Sequence, residues 1–368
     1  MGLIYDMYAK GVSLFSTLTP SYASYDTIIS NPTAAFNAVY GNFILGYYNG
    51  GMVVYGSESN DWIDMANQPA LHPGYDTIYA VGGTVYTSNS AGGDIVYGGN
   101  SATVIDGSFG TAYQFLALGF GGGAVYGGAG DDFIYGAFHS LANLHAGSGN
   151  QTIDAGTGSY AQIFAGSGTD TIYVNGPNAT VTNSTGNDTI SFSAGGGKVI
   201  LGTGNSTVYG GPGTGGLIVT GGAGTGNLII AAGGGAGNNI TGGSGSGTNI
   251  LFGGVGVDIV HGGNGAGQNT IAGYLGNDIL YGGAEVTNNY FDLVYDVHAG
   301  DLDQIANWIN TVTTHDWLQL PVVAKGGVNF IQNGADVYAS LTVGAGTYGV
   351  YINNASLADV TAHTFYYG

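Results

Sequence analysis

Through most of the chain a polar residue is followed two positions later by a large aliphatic one, with a small or aromatic residue between them. Tyr75-Asp76-Thr77-Ile78-Tyr79, Gly93-Asp94-Ile95-Val96-Tyr97, Asp131-Asp132-Phe133-Ile134-Tyr135, Thr169-Asp170-Thr171-Ile172-Tyr173 and Asn187-Asp188-Thr189-Ile190 align on the aspartate. Asn60-Asp61-Trp62-Ile63 joins them with serines where glycines are expected, and Gln151 and Ser206 hold the same position in Asn150-Gln151-Thr152-Ile153 and Asn205-Ser206-Thr207-Val208. Alternation over so few residues, bounded by glycines, predicts short strands whose aliphatic residue points inward.

The column advances by 18 residues from Asp76 to Asp94, by 38 to Asp132, then by 19, 19, 18 and 18 through Gln151, Asp170, Asp188 and Ser206. Each step is two half-repeats, and the intervening halves, such as Gly98-Gly99-Asn100-Ser101-Ala102-Thr103-Val104-Ile105, keep the glycines and the strand but not the acid. Strand pairs joined by two turns would therefore stack the aspartates along one edge only, as a single incomplete ladder. Between about 209 and 257 the repeat lengthens and loses its acid; the position returns at Asp258 and Asp278.

Composition narrows the reading. The chain has 368 residues, 73 of them glycine, without a G-x-y period, and its 44% hydrophobic content fits neither collagen nor disorder. Three basic side chains (Lys10, Lys198, Lys325) against 23 acids give a formal net charge of −20, which excludes nucleic acid and acidic lipid as partners. Nearly all the acids are aspartates, a bias that points to cation binding. The absence of cysteine excludes disulfides and thiolate metal sites. No basic and apolar leader of the Sec type opens the chain, and no apolar run reaches the roughly 20 residues of a transmembrane segment.

Gly127-Gly128-Ala129-Gly130-Asp131-Asp132-Phe133-Ile134-Tyr135 is a full match to the nonapeptide G-G-x-G-x-D-x-U-x. Here the chain resembles the RTX proteins, which carry hemolysin-type calcium-binding repeats. The resemblance implies an all-β fold, a right-handed parallel β-roll (β-solenoid) over 56–285, in which turn carbonyls and the aspartate offer hard oxygen ligands to Ca²⁺. Asp76, Asp94, Asp132, Asp170, Asp188, Asp258 and Asp278 are the expected metal ligands; Asp76 and Asp94 sit in poorer turns, and Gln151 and Ser206 supply no charged ligand.

Residues 1–55 are tyrosine-rich and weakly periodic, and are expected to form an N-terminal cap or assembly segment with a short helix between Thr33 and Tyr40. Residues 286–368 lose glycine and gain Trp308 and Trp317. Tyr295-Asp296-Val297-His298-Ala299-Gly300-Asp301-Leu302-Asp303 is similar to the segment that closes RTX rolls, and Ser356-Leu357-Ala358-Asp359-Val360 to the export region read by type I secretion machinery. The resemblance thus implies a C-terminal β-rich cap, uncleaved export, and a secreted, cell-surface protein of a Gram-negative bacterium.

Catalytic motifs are missing. The seven histidines show no ligand spacing, neither H-E-x-x-H nor G-x-S-x-G occurs, and the G-x-G-x-x-G match at 211–216 is an accident of glycine content. The expectation is a non-enzymatic protein that self-assembles into a surface layer, fibre or biofilm matrix, with itself and cell-surface polysaccharide as partners. The alternative is a non-assembling adhesin or ice-binding rod using a Thr/Asn column at Thr203, Asn205, Thr225, Asn227, Thr248 and Asn249. The tyrosines that follow the inward aliphatic, among them Tyr79, Tyr97, Tyr173 and Tyr209, read either as strand-end packing or as a face for contact between molecules.

Overall fold

The computed structural model describes residues 76–367 apart from 88–92, 159, 194–195, 213–215, 225, 236, 284–287 and 312–313. Before residue 76 it describes the strands Ala35–Asn37, Phe43–Leu45, Val53–Tyr55 and Trp62–Asp64. The chain is a parallel β-solenoid and divides into two compact units, Met1–Ala179 and Thr180–Gly368.

In the first unit successive strands alternate between two parallel ladders, so that each coil contributes one strand to each. One ladder runs through Ala35–Asn37, Val53–Tyr55, Asp76–Tyr79, Asp94–Tyr97, Phe115–Ala117, Phe133–Tyr135, Thr152–Asp154 and Thr171–Val174. The other runs through Phe43–Leu45, Trp62–Asp64, Gly83–Tyr86, Thr103–Asp106, Gly123–Tyr126, Ala142–His145 and Gln162–Phe164. Ala35–Asn37 is a strand where the sequence led us to expect part of a helix, and the ladders start upstream of residue 56. The reading at Asp61 and those on the first 34 residues lie outside the described residues.

The core is two aliphatic columns. Ile78, Val96, Leu116, Ile134, Ile153 and Ile172 are in register on one ladder and fully buried. Val85, Ile105, Val125, Leu144 and Ile163 do the same on the other. Each such side chain contributes roughly 1.5–3 kcal/mol of burial. In the turns the coils approach so closely that a Cβ on Gly168 would stand 1.7 Å from the Gly149 carbonyl oxygen, which is why glycine recurs there.

The second unit repeats the scheme with longer coils. One ladder takes Thr189–Phe192, Ser206–Tyr209, Leu228–Ala231, Asn249–Val255, Asn269–Leu275, Asn289–Asp292, Trp317–Pro321 and Thr364–Tyr367. Its inward column is Ile190, Val208, Ile230, Leu251, Ile271, Phe291 and Leu318, all fully buried. The other takes Gly197–Ile200, Ile218–Thr220, Asn239–Thr241, Ile259–His261, Ile279–Tyr281 and Leu302–Asn307. Gly346–Ile352 then adds in parallel to Leu302–Asn307, and Asp336–Val343 and Val328–Asn333 continue antiparallel. Ser356 caps the short helix Leu357–Ala362 by accepting the Asp359 N–H.

Candidate metal sites

In the first unit the register aligns Asp76, Asp94, Gln114, Asp132, Gln151 and Asp170 just before or at the start of each strand. Gln114 fills the 38-residue gap in the sequence column. All six are at most 1% exposed. Four of the side chains bond to the backbone of the preceding coil: Asp94 Oδ1 accepts from Asp76 N at 3.4 Å, Asp132 Oδ1 from Gln114 N at 2.9 Å, Gln151 Oε1 from Asp132 N at 2.7 Å and Asp170 Oδ1 from Gln151 N at 2.7 Å. The second oxygen of Asp132 accepts from Gly128 N at 2.8 Å. Burial raises the Asp132 carboxyl to about 6; the Gly128 and Gln114 N–H bonds oppose the rise and the charge of Asp131 adds to it.

The second unit corrects the expectation of one ladder of aspartates. Asp188 lies in a column with Ser206, Leu228, Asn249, Asn269, Asn289 and Asp316. Asp258 and Asp278 belong to the other ladder, in register with Leu217, Asn238 and Asp303. Asp258 Oδ1 accepts from Asn238 N at 2.6 Å, Asp278 Oδ1 from Asp258 N at 2.7 Å and Asp303 Oδ1 from Asp278 N at 2.8 Å. Across the coil the amides form their own chain, with Asn249 Nδ2 donating to Asn269 Oδ1, Asn269 Nδ2 to Asn289 Oδ1 and Asn289 Nδ2 to Asp316 Oδ1, each at 2.7 Å. Asn249 is thus turned inward, whereas Thr203, Asn205 and Asn227 of the Thr/Asn column are exposed and Thr248 is half-buried; Thr225 lies outside the described residues.

A group of acids lies near the C-terminal end of this column, two of them, Asp296 and Asp303, in the segment that resembles the closing segment of RTX rolls but outside the predicted ligand set. Asp296 accepts from Tyr274 N at 2.8 Å and Gly273 N at 3.3 Å, and the buried Tyr348 hydroxyl donates to Asp303 Oδ2 at 2.8 Å. Burial is the main cause that lifts Asp278 to about 7 and Asp303 to about 6, and it holds Asp296 well above the usual carboxylate range; their mutual charges add to it.

Among the described residues no three carboxylate or imidazole groups converge on one point. A cation site in these columns would therefore consist of a single column carboxylate and turn carbonyls, the hard oxygen donors that suit Ca²⁺. At Asp132 both oxygens already accept N–H groups. Asp258 Oδ2 and Asp278 Oδ2 are buried and accept no hydrogen bond. Asp258 Oδ2 and the Gly273 carbonyl oxygen both lie within 2.7 Å of the point a Cβ would occupy on Gly253, so two acceptors face one small glycine cradle. The residues at Asp258 fit a cation, and Asp278 offers a second unpartnered carboxylate oxygen one coil on.

Outside the columns, rings stack from coil to coil. Tyr79 and Tyr97 lie 5.2 Å apart, Phe115 and Phe133 5.3 Å, Tyr126 and His145 4.6 Å, and His145 and Phe164 4.5 Å. Tyr79, Tyr97, Tyr173 and Tyr209 are exposed. His315 and His363 also stack, at 4.5 Å and 18°; near-parallel rings aim their nitrogen lone pairs alike and do not chelate one ion.

Fold and columns define a class: a parallel β-solenoid with buried polar columns beneath its turns. No protein-family model matches the chain and no curated protein matches it. No helix among the described residues is long and apolar enough to cross a membrane.

Proposed function

We propose that this chain is a non-catalytic, calcium-binding structural protein of the RTX kind, exported by type I secretion machinery and assembling with itself outside a Gram-negative cell. The observation that carries the reading is the pair of buried, unpartnered Oδ2 atoms at Asp258 and Asp278. A carboxylate oxygen facing a carbonyl in a dry turn costs several kcal/mol unless a positive charge joins them. Bound Ca²⁺ would supply that charge. Asp258, Asp278 and the turns around Gly253 and Gly273 would hold it, and the remaining predicted ligands, Asp76, Asp94, Asp132, Asp170 and Asp188, would contribute where their carboxylates can turn from backbone N–H groups. A net charge of −20 keeps the chain extended where calcium is scarce, and export-competent as a result. Exposed tyrosines, Tyr79 and Tyr97 stacked on neighbouring coils among them, support self-association as the way in which the molecule builds a layer, fibre or matrix.

The test is negative-stain electron microscopy of the purified chain in millimolar Ca²⁺ and in excess EGTA, with a calcium titration alongside. Sheets or filaments that dissolve in EGTA are expected. Single folded particles that bind calcium but never assemble would favour the adhesin reading, and a flat calcium titration would remove calcium from the function altogether.

A further inference from the structure

Five amides in the columns do something that the aspartates beside them cannot. Gln114 Nε2 donates to the Gly107 carbonyl at 2.8 Å and Gln151 Nε2 to that of Gly130 at 2.8 Å. Asn238 Nδ2 donates to Gly253 at 3.0 Å, Asn249 Nδ2 to Gly243 at 3.3 Å and Asn269 Nδ2 to Gly263 at 3.1 Å. In every case the acceptor is a glycine carbonyl, and in all but Gln114 the oxygen of the same amide accepts from backbone, as the aspartate Oδ1 does elsewhere.

The cradles can be compared directly. The point a Cβ would occupy on Gly263 lies 1.8 Å from the Gly243 carbonyl oxygen and 2.3 Å from Asn249 Nδ2, an acceptor beside a donor. On Gly149 the neighbours are the Gly130 carbonyl oxygen at 1.9 Å and Gln151 Nε2 at 2.8 Å, the same pair. On Gly253 they are the Gly273 carbonyl oxygen and Asp258 Oδ2, acceptor beside acceptor. Asn238 with Gly253, and Asp258 with Gly273, occupy matching places one coil apart, so the two differ only in whether the side chain brings its own hydrogens.

We infer that these amides are built-in replacements for a cation: where the column holds Gln or Asn, the NH₂ group ties the turn carbonyl, and where it holds Asp that task falls to a metal ion. Calcium dependence is then set position by position along each edge, by a one-atom choice between amide and carboxylate. The edge of the coils that holds Asn249 and Asn269 closes without calcium, and the opposite edge of the same coils, which holds Asp258 and Asp278, needs it. The inference rests on the calcium reading for its metal, but the two can be tested apart.

The experiment is thermal unfolding of the full chain, followed by far-ultraviolet circular dichroism at mildly alkaline pH in EGTA and in millimolar CaCl₂. Asn269→Asp keeps the shape and removes the donor; its midpoint in EGTA falls by at least about 3 °C and calcium restores most of the loss. Gln151→Glu makes the same exchange in the first unit and serves if the first variant does not fold. Asp258→Asn does the reverse, raising the midpoint in EGTA and shrinking the calcium increment. Losses in Asn269→Asp and Gln151→Glu that calcium leaves untouched, or an Asp258→Asn variant less stable in EGTA than the parent, would overturn the inference. A parent indifferent to calcium beside an Asn269→Asp variant that gains a calcium response would uphold it and overturn the calcium function of the native chain.

Discussion

Tyr348 donates its hydroxyl to Asp303 Oδ2 at 2.8 Å, while the other oxygen of Asp303 accepts the backbone N–H of Asp278. One carboxylate thus ties the strand Gly346–Ile352 to the last coils of the solenoid. Tyr348→Phe keeps the ring and strands a buried carboxylate oxygen, so the second unit should lose about 1–3 kcal/mol. Guanidinium denaturation, with an unchanged m-value, measures it. An effect near zero would mean that water or another donor reaches Asp303.

Stability without calcium should fall as pH rises. Burial raises Asp316 to about 7, and Asp303 to about 6, against the usual carboxylate near 4. Between those limits the folded chain holds protons that the unfolded chain has released, so the unfolded state gains on the folded one with each increment of pH. The stabilising effect of protonation is fully present below about pH 4 and is lost as pH passes through about 6 to 7. Melting in EGTA at a series of pH values should show a midpoint that declines across this window; a midpoint that climbs would contradict the burial of these groups.

A methyl group in the wrong turn should be fatal. A Cβ on Gly245 would lie 1.5 Å from the Gly224 carbonyl oxygen, whereas on Gly327 the nearest atoms are 3.6 Å away. Gly245→Ala is expected to open the stack or prevent soluble expression, and Gly327→Ala to melt within a few degrees of the parent. Parallel expression and melting of the two variants decides the matter.

The aliphatic columns carry the fold. Ile134 sits in register between Leu116 and Ile153 with no exposure. Ile134→Ala should cost about 2–5 kcal/mol through lost burial and an unfilled cavity. Phe109, 52% exposed, should tolerate alanine within about 0.5 kcal/mol. Urea titration of both variants separates a core residue from a surface one of greater size.

Much of the fold is legible in the sequence. Alternation around Ile78, Val96, Ile134, Ile153 and Ile172 marked the strands, and the 18- and 19-residue steps marked the coil, because every coil must return its aliphatic to the same axis. The placement of Asp258 and Asp278 was misread for a physical reason. From Ser206 the coils lengthen to 22, 21 and 20 residues, through Leu228, Asn249 and Asn269. Ser206 and Asp258 are 52 residues apart, about two and a half such coils, and the half should have moved the acid to the opposite ladder. Asn269 and Asn289 carry no signal in the sequence and Asn249 reads there as part of an outward Thr/Asn column, because nothing local shows that these amides point inward and bond to one another. Asp296, Asp303 and Tyr348 are joined by chain reversal over tens of residues, and no local pattern announces that.

The stack of Tyr79 on Tyr97, 5.2 Å apart and only 11° from parallel, makes the solenoid report on itself optically. Two such chromophores couple strongly, and the sign and strength of their near-ultraviolet dichroism depend on the offset between neighbouring coils. Far-ultraviolet signals count strand and are blind to that offset. A coil that slipped by one residue would keep its strand content and lose its tyrosine couplet, so the two spectral regions together distinguish sliding from melting without any added label.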